Sequence, residues 1–137
     1  MTTDEHEIRT DLADMDLDLV HHWLSTDAYW SMGRSREAVG TAAEHSLNYG
    51  AFTREGQQVA YARVVTDHAN FAWLCDVYVD RDHRGRGVGH RLLEAVVEQL
   101  EPMGLSRVLL ATRDAHELYA RFGFEPLPEP DMFMVRS

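Results

Sequence analysis

The residues best placed to do chemistry fall in one run, Val77-Tyr78-Val79-Asp80-Arg81-Asp82-His83-Arg84-Gly85-Arg86-Gly87-Val88-Gly89. A β-rich segment ends there in a basic, glycine-rich turn, and an amphipathic helix begins almost at once. Glycines at 85, 87 and 89 let the backbone approach a ligand closely and take positive φ where needed. The helix start offers unpaired N–H groups and the positive end of the helix dipole. Arg84 and Arg86 add formal charge. This combination predicts a phosphate site. The alternative is a strand-to-helix loop that uses glycine only for its turn, a reading that suits one glycine better than three alternating ones.

Two common phosphate motifs do not match. A Walker loop needs Gly-Lys-Ser/Thr, which is absent. The dinucleotide fingerprint needs glycine where His90 stands, and it belongs near the start of a longer α/β domain. The arrangement Arg84-x-x-Gly87-x-Gly89 instead resembles the signature of the GCN5-related N-acetyltransferases (GNAT). The resemblance implies a loop whose amides hold the pyrophosphate of acetyl-coenzyme A. It assigns cofactor contacts to Val77, Tyr78, Val79, Arg84, Gly85, Arg86, Gly87, Val88 and Gly89. Thr112 joins them, standing where many relatives carry an Asn against the pantetheine arm.

A second stretch, Leu118-Tyr119-Ala120-Arg121-Phe122-Gly123-Phe124, resembles the closing helix and turn of the same family. By that resemblance Tyr119 protonates the leaving thiolate. A phenol of pKa about 10 remains protonated at neutral pH and can donate as a thiol of pKa about 8.5 forms. The alternative is a packing residue between Leu118 and Phe122. Asp76, on the strand beside the cofactor, is the best candidate to deprotonate the amine. A carboxylate bonded to backbone amides is the equal alternative. The carbonyl oxygen of the thioester expects a backbone N–H donor near Val77. Cys75 lies beside Trp73 and Leu74, and that apolar flank predicts an unactivated thiol. Adjacent Tyr29 and Trp30 are candidate walls of the acceptor pocket, able to hold a cationic amine face-on, or else a staple between two helices. His21, His22, His45 and His68 are other candidate bases and His116 a candidate substrate or cofactor contact, with a surface histidine as the alternative for each.

The elements that must position these groups can be read from periodicity. Glu7 to Thr10 reads as a first strand after a loose lead-in over 1–7. Leu17, Leu19, Val20, Trp23 and Leu24 have helical spacing, capped by Asp14 or Asp16. Ser35 opens a second helix that runs to about Leu47. Strands follow at Tyr49 to Thr53, Val59 to Val65 and Phe71 to Val79, with Gly56 turning a hairpin. Val88, Leu92, Leu93, Val96, Val97 and Leu100 form the buried stripe of a third helix. Arg107 to Thr112 reads as a buried strand. Ala115 to Phe122 reads as a short helix capped by Asp114. Residues 124–126 and 132–135 read as last strands. This order predicts one mixed α/β (α+β) domain over 1–137. With the resemblance it implies a GNAT-like fold: a mostly antiparallel twisted sheet of about six to seven strands flanked by about four helices.

Bulk properties bound the function. The 137 residues carry a net charge of −10, which argues against nucleic acid and, weakly, for a cationic amine. One cysteine precludes an internal disulfide and fits a reducing, cytoplasmic setting. No zinc-ligand spacing, membrane-length apolar run or secretory signal is present in the sequence. The expectation is an N-acetyltransferase that uses acetyl-coenzyme A and acts on the amine of a small molecule or peptide. Neither nucleic acid nor membrane is expected as a partner, no metal is expected, and a homodimer is a family-level expectation. The rival of another class is a non-catalytic acyl-coenzyme A binding module.

Overall fold

The computed structural model describes residues 6–137, so most of the expected lead-in lies outside the described residues. Among these residues five strands form one sheet in sequence order: β1 (Glu7–Arg9), β2 (Leu47–Phe52), β3 (Gln58–Thr66), β4 (Phe71–Val79) and β5 (Arg107–Leu109). All neighbours are antiparallel except β4 and β5, which run parallel. Among the described residues four α-helices flank the sheet: α1 (Leu17–Thr26), α2 (Arg36–Glu44), α3 (Val88–Leu100) and α4 (His116–Ala120). The Asp16 side chain caps α1 by accepting from Leu19 N–H, and Ser35 caps α2 by accepting from Ala38 N–H. No helix among the described residues is long and apolar enough to cross a membrane.

Two cores sit on opposite faces of the sheet. On one, Val88, Leu92, Leu93, Val96 and Leu100 of α3 pack against Tyr49, Ala51, Val59, Ala60, Ala62, Val64, Ala72 and Leu74, with Tyr119 of α4 in the same cluster. On the other, Val20, Trp23 and Leu24 of α1 and Val39 of α2 pack against Phe52, Tyr61 and Tyr78. The switch of β4 between these faces has a local cause. Tyr61 pairs with Tyr78 but Arg63 pairs with Cys75, so Asp76 and Val77 together oppose Ala62. Such a bulge adds one residue and inverts the side-chain alternation beyond it. Ala72 and Leu74 therefore face α3 before it, and Val77 and Val79 do so after it. Tyr78 is turned to α1, where its ring stacks on Trp23 at 5.3 Å.

Four expected boundaries are corrected. Among the described residues the sheet has five strands, not six or seven. Residues 124–126 and 132–135 join no ladder: Pro126, Pro128 and Pro130 lack N–H donors, and the chain coils into a 3₁₀ turn at Pro130–Met132. Helix α2 ends at Glu44, because the Asn48 side chain donates to Ala43 O at 2.9 Å and closes the helix end while its own backbone enters β2. Strand β5 stops at Leu109 and the parallel ladder stops with it, at Trp73 opposite Leu109. Beyond that pair, β4 and the 110–112 segment are no longer hydrogen-bonded as a ladder. The space they leave is part of the site described next.

Candidate functional site

The glycine loop runs from the end of β4 through a 3₁₀ turn, Arg81–His83, into α3. Gly85 and Gly87 take φ of 77° and 81°, in the left-handed region that favours glycine. Gly87 is the N-cap of α3 and gives no side-chain hydrogen bond to the first turn. The first-turn N–H groups are thus left for a ligand, at the positive end of a 13-residue helix. A Cβ built at Gly85 or Gly87 meets nothing within 4 Å, so it is backbone conformation rather than crowding that asks for glycine. At Gly89 a Cβ would lie 3.7 Å from Val79 Cγ2, an ordinary contact. Gly85, Gly87, Val88 and Gly89, with Val77, Tyr78, Val79 and Arg84, line one cleft of about 510 Å³. The residues fit an extended, phosphate-bearing ligand.

The arginines of the loop divide their tasks. Arg86 is exposed and has no side-chain partner among the described residues. Arg84 bends back, its Nε donating to Val79 O at 2.8 Å and its Nη2 lying 3.5 Å from Asp27. Asp27, just after α1, also accepts from Tyr78 Oη at 2.6 Å and from Arg81 Nε at 2.9 Å, with Arg81 Nη2 on its other oxygen. The Arg81 and Tyr78 hydrogen bonds hold the Asp27 carboxyl well below the usual carboxylate range. This staple ties the loop to α1.

Asp76 sits at the bulge with φ of 53°, a left-handed conformation rare for a residue with a side chain. Its side chain is only 2% exposed, yet ionised groups surround it. Arg34 Nη1 donates to Oδ2 at 2.7 Å, Arg63 Nε to the same oxygen at 2.9 Å, and Trp30 Nε1 to Oδ1 at 3.0 Å. Burial acts to raise its pKa, but the hydrogen bonds and charges of Arg34 and Arg63 outweigh it and lower the value. Burial also pushes the neighbouring Cys75 thiol up to about 11. A thiol so placed is a poor nucleophile at neutral pH.

Trp30 is therefore held by Asp76, and Tyr29 is held by the opposite wall. Tyr29 Oη accepts from Arg113 N–H at 2.8 Å, and the Arg113 guanidinium lies 4.4 Å from the Tyr29 ring centre. The two aromatic rings meet edge to face at 5.0 Å. The loop between α1 and α2 is thus strapped across the lead-in to α4.

Tyr119 of α4 is 9% exposed, and no side-chain hydrogen bond engages its hydroxyl among the described residues. Burial pushes its pKa up to about 12, aided by the nearby Tyr29 and Asp114. It lines the 510 Å³ cleft and also a second cavity of about 330 Å³, walled by Arg34, Arg63, Asp76, Cys75, Ala111 and Thr112. Tyr29, Trp30, Val77, Asp114, Ala115 and Tyr119 line both. The expected site residues other than Arg86 therefore line one or both of these joined cavities, while Arg86, His21, His22, His45, His68 and His116 line neither. Thr112 lines the second cavity and also has a local partner. Its Oγ1 accepts from Ala115 N–H at 3.1 Å, capping the approach to α4 where Asp114 was the expected cap. Asp27, Arg34, Arg63, Arg81 and Arg113 escaped the sequence reading. Each lies far along the chain from its partner, and no local spacing marks it.

The acetyltransferase (GNAT) family model matches residues 17–124. A solved structure of a GNAT-family protein from Xanthomonas campestris is 44% identical, with a TM-score of 0.92 over 96% of this chain and 92% of that one. A candidate acetyltransferase of Gibberella zeae is 28% identical over 139 residues, covering 88% of this chain and 78% of its own length. The ribosomal-protein-S18-alanine N-acetyltransferase of Escherichia coli superposes with a TM-score of 0.71 at 27% identity, over 88% of this chain and 77% of that one. The chain spans only 30%, 37% and 40% of three plant relatives.

Proposed function

The chain belongs to the acetyltransferase (GNAT) family, and we propose that it transfers an acetyl group from acetyl-coenzyme A to a primary amine by direct attack in a ternary complex. The observation that carries this reading is the meeting of two cavities at Tyr119, one lined by the glycine loop and the other free of it. Acetyl-coenzyme A supplies the activated acyl thioester. The α3 first-turn amides and the Gly85–Gly87 backbone hold its phosphates, with Arg86 adding charge. The bulge at Asp76 and Val77 leaves backbone outside the regular ladder, and we assign the carbonyl oxygen's donor to it.

Tyr119 Oη supplies a proton to the sulfur as the C–S bond breaks and the amine forms its C–N bond. The proton lost by nitrogen returns the phenol to its starting state by way of solvent. A pKa of about 12 keeps the phenol protonated throughout the physiological range. The same desolvation raises the proton affinity of a thiolate in that site, which narrows the gap between donor and acceptor. Asp76 serves as a positioning residue rather than a base, because three donors already occupy its oxygens and its pKa is lowered. The unactivated Cys75 argues for direct attack over an acyl-enzyme.

The test is thiol release from acetyl-coenzyme A across a panel of amines, amino acids and peptides, beside calorimetric titration of the coenzyme. Binding with turnover on one amine class is expected. Binding without turnover on any acceptor would favour a non-catalytic module, and absence of binding would remove the cofactor assignment.

A further inference from the structure

The acceptor-side cavity has an electrostatic character that the whole chain does not share. The chain carries a net charge of −10. Yet Arg34 and Arg63 both line this cavity, and Asp76 is the one carboxylate they share. Two guanidiniums against a single carboxylate leave a positive charge over. Asp114 also lines the cavity, but where it joins the cofactor cleft, beside Tyr119.

The hydrogen-bond inventory sharpens this. A guanidinium has five N–H donors. Arg34 uses Nη1 on Asp76 and makes no other side-chain bond among the described residues. Arg63 uses Nε on Asp76 and Nη1 on Ser46 Oγ at 3.0 Å, and its Nη2 has no partner among them. The side chains are 25% and 14% exposed and none of their unspent donors is sealed from water, so a ligand entering the cavity can reach them. If the arginines served only to hold Asp76 in its left-handed conformation, one of them with Trp30 would neutralise and bond the carboxylate. The second charge and the spare donors call for an anion, and the planar guanidinium fork suits a carboxylate or phosphate.

We propose that the acceptor is a small amine bearing an anionic group, foremost a carboxylate. Arg34 and Arg63 bind the anion, and the amine points to the Tyr119 and Asp114 end of the cavity. The volume of about 330 Å³ suits a small molecule. This deepens the acetyltransferase reading above and rests on it. It also reverses, within the pocket, the preference for a purely cationic acceptor that the overall charge suggests.

The test compares acids with their uncharged mates: glycine with glycinamide and β-alanine with β-alaninamide, with phosphoethanolamine as the phosphate arm. Thiol release should favour the acid in at least one pair by at least about tenfold in kcat/KM, as expected for a charge-assisted bidentate contact. The acid-to-amide ratio should fall close to unity in Arg34→Gln and in Arg63→Gln, and Arg34→Lys should restore part of it. Circular dichroism melts identify any variant that fails to fold, and the wild-type comparison stands without the variants. Phosphoethanolamine ahead of every amino acid would identify the anion as phosphate. Amides equal to or better than the acids would overturn the proposal. So would an Arg34→Gln variant that slows acid and amide alike, which would leave Arg34 a support for Asp76 alone. A protein that binds acetyl-coenzyme A but releases thiol with none of these amines also overturns it. Failure to bind acetyl-coenzyme A overturns instead the reading on which it rests.

Discussion

The two cavities that meet at Tyr119 are built in opposite ways. The proposed cofactor-side cleft takes much of its lining from one contiguous stretch, 77–90, and its tools are backbone amides, positive φ and a helix end. The proposed acceptor side is assembled from side chains at 29, 30, 34, 63, 76, 112 and 119, brought together from the α1–α2 loop, two strands and the α4 region. A backbone-built site tolerates variation in side chains but not in conformation. A side-chain-built site has the reverse sensitivity. Substitutions on the two sides should therefore fail differently, one losing ligand with the fold kept, the other losing fold and specificity together.

The sharpest challenge to that contrast is Asp76→Asn. Removing the buried carboxylate charge leaves Arg34 and Arg63 facing each other, and breaking a buried charge network of this type costs about 3 kcal/mol, the low end of the usual range because both arginines keep some solvent. The pH dependence has a definite sign. The folded Asp76 pKa lies below the ordinary 3.8, so its contribution is fully present above 3.8 and is lost as pH falls through the lower folded-state value. Urea unfolding at pH 3 and pH 6 should show the gap between wild type and Asp76→Asn narrowing at the acid end. A gap that is constant or absent would mean the ion network contributes nothing to folding.

On the other side, Gly87→Val should weaken acetyl-coenzyme A binding by about 100-fold or more while leaving most of the fold intact. A side chain at φ of 81° costs on the order of 1–2 kcal/mol, and relief of that strain would re-aim the first turn of α3. Gly89→Ala separates the two causes, since its Cβ would make only ordinary contacts and strains nothing. Calorimetry should find coenzyme affinity lowered in both, with the melting temperature lowered only in Gly87→Val. Tight binding by Gly87→Val would show that the amides of the α3 first turn do not hold the ligand.

The same division explains what could be read from the chain. Arg84-x-x-Gly87-x-Gly89 is local, so both its glycines were legible, the helix start was read at Gly87 where Val88 opens the helix and Gly87 caps it, and β4 was placed at Phe71–Val79 as found. The bulge at Asp76 and Val77 was not, because a bulge is a register event between two strands and leaves no mark in one of them. Tyr119 and Asp76 were legible as residues, but the state of Asp76 depends on Arg34 and Arg63, 42 and 13 positions away. The last expected strands failed for a readable reason, the prolines at 126, 128 and 130, which outweigh the β propensity of Met132 to Val135.

Where the two halves meet, Tyr119→Phe tests whether the junction is chemical. The phenyl ring preserves packing in the α3-side core and removes only the hydroxyl, which has no hydrogen-bond partner among the described residues. Stability should change by under about 1 kcal/mol and coenzyme affinity little, while kcat falls about 10- to 100-fold, the usual worth of a positioned acid. Because the phenol pKa stands near 12, wild-type kcat should show no decline from this group below about pH 10. An unchanged kcat in the phenylalanine variant would leave Tyr119 a packing residue and return weight to the binding-module reading.

The smallest expected effect lies at the strap that joins the two sides. Tyr29 Oη accepts the Arg113 N–H, and the same ring carries the Arg113 guanidinium on its face. Tyr29→Phe removes the hydrogen bond and keeps the ring contact, so an exposed bond worth about 0.5–1 kcal/mol is lost and the cation–π contact remains. The strap crosses residues that line both cavities, so loosening it should raise KM for coenzyme and for amine together, by about two- to fivefold, with kcat nearly constant. An effect confined to the amine would place Tyr29 in the acceptor pocket alone. Tyr29→Ala, which also removes the ring, should then exceed Tyr29→Phe on both substrates if the strap spans the junction, and on the amine only if it does not.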